Sequence, residues 1–166
     1  MSLVYLILAL VALERLAELA LARHNTRRLL AEGAVEHGAG HYPLFILLHG
    51  GWLLAIALLV PGDASASWPL LALFGLLTLG RIWVLASLGR FWTTRVLTLP
   101  QAPLVRRGPY RYLDHPNYAI VSGELAVLPL AFGAWGIALV FSVLNLLLLR
   151  HRIRIESAAL APRRTA

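Results

Sequence analysis

Five apolar segments dominate the chain, and their length decides the solvent in which it can fold. A helix needs about 20 residues to cross the ~30 Å hydrocarbon layer of a bilayer, and the first three segments satisfy this. With 59% hydrophobic and 14% charged residues, a soluble domain of 166 residues could not bury so much apolar surface. The sequence therefore predicts an all-α, polytopic membrane protein with segments at 2–22, 43–60, 69–88, 118–132 and 135–149.

The last two segments are short and are separated only by the sequence FGAWG. We predict that they form a tight helical hairpin, which gives about five transmembrane helices in one domain. The alternative is one long helix bent at Pro129 and Gly133. In this domain, residues 1–90 would supply three helices and residues 91–166 the remaining two.

Arginine is unevenly distributed between the connections, and all 15 basic residues of the chain are Arg. The connections 23–42 and 89–117 and the tail from 150 hold three, five and five of them, whereas 61–68 and FGAWG hold none. The positive-inside rule places the arginine-bearing connections and the C-terminus in the cytoplasm, with the N-terminus outside. The net charge of +7 then reflects topology and attraction to anionic lipid, and not nucleic-acid binding.

Charged residues occur inside the apolar segments, where they are costly and usually pair or line a cavity. One interpretation is a structural network in which arginine neutralises glutamates on one face of the first helix. The other is a polar pocket that opens to the cytoplasm beside lipid. Glu124 favours the pocket because it follows directly from a polar motif, and the remaining members of the set are Glu14, Arg15, Glu18 and Arg81.

The polar motif is GPYRYLDHPNY at 108–118, which precedes the fourth segment. Pro116 suits the first turn of a helix, and His115 before it favours extended backbone. The free N–H groups of that helix start would bind a carboxylate or phosphate. Tyr110, Tyr112 and Tyr118 offer aromatic faces to a cation. An anion site beside a cation site predicts a ligand that is a zwitterion and carries an additional positive charge.

A second polar pair follows the last segment in RIRIE, where Arg152 and Glu156 are four residues apart and share a helix face. The two motifs around a hydrophobic hairpin resemble the isoprenylcysteine carboxyl methyltransferase family of integral-membrane, S-adenosylmethionine-dependent enzymes. The family pattern is approximately G-x-Y-x-x-x-R-H-P-x-Y followed by R-x-x-x-E. It is matched here by Gly108, Tyr110, His115, Pro116, Tyr118, Arg152 and Glu156.

The earlier part of the chain is similar to the compact bacterial branch of that family. Some members of this branch methylate alkylpyrones or alkylresorcinols, which implies a polyketide lipid hydroxyl as the acceptor, a polyketide synthase as its supplier and the bacterial inner membrane as the location. Methylation of a C-terminal isoprenylcysteine carboxylate is the alternative. A different class of function is also open, namely a small membrane transporter or a noncatalytic membrane subunit.

The resemblance also implies roles for individual residues. Residues 91–166 would form the cofactor-binding, catalytic part, in which Arg152 would face the acceptor. For a hydroxyl acceptor, which has to lose a proton, we predict Glu124 or His115 as the base on chemical grounds. Asp114 stands where the family usually has Arg, and it would repel a cofactor carboxylate. The residues implied to bind S-adenosylmethionine are Leu104, Val105, Tyr110, His115, Pro116, Asn117, Tyr118 and Glu156.

The chain has no cysteine, which excludes disulfides, thiolate metal sites and cysteine nucleophiles. His41, His49 and His115 do not have the spacing of a metal-ligand set. We therefore predict no metal site. These histidines are expected to lie in the core or at the membrane interface.

Overall fold

Five helices make up most of the protein in a computed structural model. The structure describes residues 2–100 and 102–164, without the side chains of residues 41 and 162–164. A two-stranded ribbon and three short 3-10 turns connect them. The helices are α1 (Leu3–Ala31), α2 (Tyr42–Leu59), α3 (Trp68–Leu88), α4 (Pro116–Ala131) and α5 (Trp135–Arg164), and the strands are β1 (Val35–His37) and β2 (Val96–Thr98).

The helical fold class is confirmed, and each apolar segment lies within or nearly within one helix. Among the described residues, three helices are long and apolar enough to cross a membrane, namely Tyr42–Leu59, Trp68–Phe91 and Trp135–Ala161. The centre of α1 is interrupted by charged residues, and α4 has only 16 residues. A count of five crossings therefore stays a prediction.

The hairpin between α4 and α5 is confirmed over the single bent helix. Gly133 adopts a left-handed φ of 71°, which glycine reaches without a steric penalty. Its N–H donates to the Leu130 carbonyl at 3.0 Å, and the Ala134 N–H donates to the Pro129 carbonyl at 2.9 Å. These bonds satisfy carbonyls at the end of α4, so the helix stops before the chain reverses.

The ribbon was not predicted, and it brings two arginine-bearing connections together at one end of the helices. Strands β1 and β2 are antiparallel, with Glu36 opposite Leu97. Arg95 donates to Glu36 at 2.9 Å beside the ribbon. At the other end, the Ser67 N–H donates to the Ala131 carbonyl at 2.8 Å and joins the two connections that lack arginine. Two arginine-bearing connections therefore meet at one end of the helices, and their placement on the cytoplasmic side of a membrane stays a prediction.

Helices α3 and α4 approach each other closely because each presents a glycine to the other. A side chain at Gly123 would meet Leu77 at 3.0 Å, and one at Gly80 would meet Ile120 at 3.3 Å. Small residues allow such approach where the solvent is lipid and packing drives association. This contact fixes the start of α4 against α3, where the polar motif lies.

Gly108, which opens the polar motif, gives the first testable prediction. Its φ is +58°, and a Cβ there would collide with the side chain of Ser87 and lie 3.2 Å from Trp83 Nε1. Gly108→Ala should therefore destabilise the protein by roughly 2–3 kcal/mol, from backbone strain and steric overlap together. Thermal unfolding in detergent measures this effect.

Gly133→Ala is the matched control, since Gly133 also has a positive φ but open space around its Cα. It should lose only about 1 kcal/mol. Equal losses for the two variants would show that the contact with Ser87 does not constrain the motif.

Candidate functional site

The start of α4 has the geometry that the polar motif predicts. Pro116 is the first helical residue, and His115 before it has a non-helical φ of −132°. Pro116 is buried and lines none of the cavities described below, so its part is to set the direction of the chain. The two residues that follow, Asn117 and Tyr118, occupy the first turn and face the cavities.

The two motifs around the hairpin meet in space through the hydroxyl of Tyr118. This hydroxyl donates to the Glu156 carboxylate and accepts from Arg152 Nε at 2.9 Å. His115 Nδ1 lies 3.8 Å from the same carboxylate, and its ring stacks on Tyr118 with centroids 5.1 Å apart. The polar motif at the start of α4 and the pair Arg152 and Glu156 on α5 therefore form one cluster.

Arg152 is held in place by contacts from several elements. Its Nη1 donates to the Thr94 carbonyl at 2.9 Å, and its Cζ lies over the Phe45 ring at 5.2 Å and the Tyr118 ring at 5.7 Å. Nη2 makes no hydrogen bond to any described residue. The guanidinium is thus rigidly oriented and keeps two N–H groups for an anionic or carbonyl oxygen.

A polar cavity of about 670 Å³ lies beside the cluster, with a neighbouring chamber of about 150 Å³. Leu104, Val105, Tyr110 and Glu156, which are among the residues predicted to bind the cofactor, line the larger cavity. The smaller chamber is lined by three more of these predicted residues, His115, Asn117 and Tyr118.

Tyr110 is a hydrogen-bond donor in this cavity. Burial raises the pKa of its hydroxyl, and the Glu156 carboxylate raises it further, because each disfavours the phenolate. Tyr110 therefore stays protonated at neutral pH and can donate to an acceptor atom of a bound ligand.

A third cavity, of about 340 Å³, is largely apolar and is formed mainly by α1, α2, α4, α5 and the connection at 92–94. Its lining includes Phe45 and His49 from α2 and Arg152 from α5. The residues that line both this cavity and the small polar chamber are Trp92, Thr93, Asn117, Tyr118 and Arg152. The polar and apolar spaces therefore share one wall, and Arg152 stands in it.

The charged residues inside the helices form a paired network. Glu18 accepts from Arg15 at 3.1 Å and from Arg81, while Glu124 accepts from Arg15 at 2.8 Å and from Arg81 at 3.2 Å. Arg15, Glu18 and Arg81 also border the apolar cavity. Glu14 lies at the margin, 3.9 Å from Arg15. The five residues are thus paired as the structural interpretation predicts, whereas the cavity that three of them border is largely apolar and does not have the polar character that the pocket interpretation predicts.

Glu124 occupies the inner side of this network. Only 2% of its surface is exposed, and it lines none of the three cavities. The catalytic role predicted for it stays a prediction, and its observed contacts are those of a residue that positions Arg15 and Arg81.

Several residues of the site are absent from the sequence-based prediction. Phe45 and His49 lie on α2, and Thr94 reaches Arg152 only through its backbone carbonyl. The spacing of Phe45 and His49 by four residues places them on one helix face, which is the signal that could have grouped them. Among the residues whose side chains are described, which do not include His41, no group of three potential ligands could hold a metal ion.

Comparison with known proteins gives a consistent family result. The model of the isoprenylcysteine carboxyl methyltransferase family matches residues 70–162, which contain both motifs. The uncharacterized protein YpbQ of Bacillus subtilis (strain 168) is 38% identical over 160 residues, covering 94% of this chain and 95% of that protein. An uncharacterized protein of Haemophilus influenzae (strain ATCC 51907 / DSM 11121 / KW20 / Rd) is 28% identical over 153 residues, covering 89% and 88%. No solved structure matches the chain.

Proposed function

Because the chain belongs to the isoprenylcysteine carboxyl methyltransferase family of membrane methyltransferases, we propose that it methylates an oxygen of a lipidic acceptor with S-adenosylmethionine. The proposed acceptor is a hydroxyl of a polyketide lipid, an alkylpyrone or alkylresorcinol. The observation that carries the proposal is the shared wall between a polar and an apolar cavity, with Arg152 in it. Such a wall lets a water-soluble donor and a greasy acceptor approach each other from different solvents.

The residues of the polar cavity fit S-adenosylmethionine. Its apolar part, with Leu97, Leu104 and Val105, suits a planar base, and Tyr110 can donate to a ring nitrogen. The Glu156 carboxylate makes no direct ion pair with Arg152 and can receive an ammonium group. We propose that these residues hold the cofactor, together with His115, Asn117 and Tyr118.

Asp114 departs from the family pattern, and the cavity offers a substitute for the missing positive charge. Asp114 lines the polar cavity, and so do Arg106 and Arg111. Either arginine can neutralise a carboxylate that the family arginine would otherwise bind. Asp114 itself suits the hydroxyl groups of a ribose, because a carboxylate is an acceptor.

When bound, S-adenosylmethionine supplies a methyl group on a positively charged sulfur. The chain's own contribution is to align the acceptor and to exclude water. Arg152 would orient the acceptor oxygen with its free N–H groups, and the apolar cavity would hold the alkyl tail. Glu124, behind Arg15 and Arg81, is assigned a positioning role in this proposal.

The location proposed for the enzyme is the bacterial inner membrane, with the active site in the cytoplasm. Support comes from the clustering of the arginine-bearing connections and of Arg152 at one end of the helices. Positively charged connections are retained on the cytoplasmic side. The apolar cavity then opens among helices surrounded by lipid, where an acceptor can enter sideways.

Radiolabelled S-adenosylmethionine, incubated with the purified protein in detergent and a panel of lipid acceptors, tests the function. We expect label in an alkylpyrone or alkylresorcinol. Label in a farnesylcysteine acceptor alone would assign the alternative acceptor, and label in none would overturn the methyltransferase proposal. Proteoliposome flux without methylated product would favour a transporter.

Glu156→Ala should weaken S-adenosylmethionine binding by about 10- to 100-fold, which corresponds to the loss of one hydrogen bond to a charged group. Titration calorimetry in detergent measures this change. Glu32→Ala is the control, since Glu32 pairs with arginines on the outside of α1 and lines none of the three cavities. An unchanged affinity in Glu156→Ala would remove Glu156 from the cofactor site.

A further inference from the structure

Neither base named from the sequence reaches the proposed acceptor cavity. His115 lines the small polar chamber, and Glu124 lies behind the ion network. A hydroxyl acceptor nevertheless has to lose a proton when its oxygen is methylated. His49 is the one histidine among the described residues that line the apolar cavity.

The hydrogen bond of His49 fixes which ring nitrogen carries hydrogen. Its Nδ1 lies 2.8 Å from the Phe45 carbonyl oxygen, which can only accept. Nδ1 is therefore the N–H, and the neutral ring has its lone pair on Nε2. Nε2 makes no hydrogen bond within the described part of the chain and is not enclosed by it. His49 lines the apolar cavity, and its lone pair has no hydrogen-bond partner in the described part of the chain.

The groups around His49 leave this lone pair available. Arg15 and Glu18 from α1 and Arg81 from α3 are the charged neighbours. Glu18 is already bound by both arginines, so no carboxylate is left to pair with the histidine. On the other side, Phe45 contacts Arg152 through its ring while its carbonyl holds His49. One turn of α2 therefore contacts Arg152 through the Phe45 ring and holds His49 through the Phe45 carbonyl, and His49 and Arg152 both line the apolar cavity.

We propose that His49 Nε2 accepts the hydroxyl proton of a phenolic or enolic lipid acceptor whose oxygen Arg152 orients, an inference that rests on the proposed function. The acceptor O–H bond breaks and its proton goes to Nε2. The oxygen electron pair bonds the methyl carbon, and the electron pair of the broken carbon–sulfur bond stays on sulfur. A carboxylate acceptor has no proton to give, so His49 contributes to methylation only when the acceptor is a protonated hydroxyl.

Two acceptors distinguish a base from a merely structural histidine. An alkylresorcinol is neutral at pH 7, because phenols have a pKa of about 10, whereas an acidic alkyl-hydroxypyrone is already an anion. His49→Asn keeps a donor for the Phe45 carbonyl but removes the nitrogen that faces the cavity. It should slow methylation of the alkylresorcinol by about 100-fold and that of the hydroxypyrone by less than about 3-fold. Raising the pH toward 10 should recover most of the loss.

A binding measurement without S-adenosylmethionine gives a second readout. Calorimetry should show that His49→Asn binds the alkylresorcinol up to about 10-fold more weakly, the usual effect of one lost hydrogen bond. His49→Gln, whose amide oxygen accepts a hydrogen bond but is no base, should bind it nearly normally and still methylate it slowly. His24→Gln, at an exposed position of α1, is the control and should behave as the parent protein.

The outcomes separate this inference from the proposed function. Two results would overturn the role of His49 alone. One is an equal loss of methylation rate with both acceptors in His49→Asn and His49→Gln. The other is a parent protein that methylates the hydroxypyrone but not the alkylresorcinol. A parent protein that methylates only a farnesylcysteine carboxylate would overturn the role of His49 as a base, because that acceptor has no proton to give. A parent protein that methylates nothing would overturn the function on which the inference rests.

Discussion

Replacing Arg152 with alanine is expected to lower kcat/KM for lipid methylation by roughly 100- to 1000-fold, while the affinity for S-adenosylmethionine changes by less than about 3-fold. The guanidinium lies in the wall shared by the two cavities and is fixed by Thr94, Tyr118 and Phe45. Its free N–H groups would orient the acceptor oxygen, a contact that alanine cannot replace. Single-turnover assays and calorimetry, both in detergent, measure the two quantities separately.

Two further variants sharpen this test. Arg152→Lys keeps the charge but loses the planar fork, so it should recover only part of the activity. Arg154→Ala removes an exposed arginine two residues farther along α5 and should be near the parent protein. An equal loss of cofactor affinity and turnover in Arg152→Ala would assign Arg152 to the cofactor and not to the acceptor.

Replacing Glu124 with alanine should reduce the free energy of unfolding by about 3–5 kcal/mol, the largest stability effect we expect from the charged network. Glu124 is buried on α4 and accepts hydrogen bonds from Arg15 on α1 and Arg81 on α3. Removing it leaves two buried guanidiniums with fewer partners. Because these bonds link three helices, their loss also loosens the wall of the apolar cavity.

Thermal unfolding in detergent checks this prediction against an exposed pair of the same chemistry. Glu32 also binds two arginines, but its side chain is 34% exposed, so Glu32→Ala should cost at most about 1 kcal/mol. Replacing Arg15 and Glu124 together with leucine should restore part of the lost stability, since a well-packed apolar pair avoids the desolvation cost. Similar losses for Glu124→Ala and Glu32→Ala would show that the buried network does not hold the helices together.

The positions of the helices were largely predictable because they depend on local chemistry. The five apolar segments predicted all five helices, Pro116 marked the start of α4, and the sequence FGAWG marked the turn after it. The ends of α1 and α5 were missed, since α1 continues to Ala31 and α5 to Arg164. Polar residues sustain a helix beyond the apolar segment once backbone hydrogen bonds propagate along it.

The site was predictable where its residues are close in sequence and unpredictable where they are not. The motif at 108–118 and the pair Arg152 and Glu156 identified the polar cluster from spacing and resemblance, and the fold brings them into contact through Tyr118. The contribution of α2 to the apolar cavity was missed, because an apolar helix has no sequence signal for the neighbour that it packs against.

The sequence by itself determined that this chain is a helical membrane protein with its arginine-bearing connections on one side, because segment length and charge act locally. Only the tertiary structure decided that Glu124 binds Arg15 and Arg81 and that His49 shares a cavity with Arg152. Those pairings depend on how helices far apart in sequence approach one another. In lipid this approach is set by close packing and by the pairing of buried charges, and single helices do not encode either.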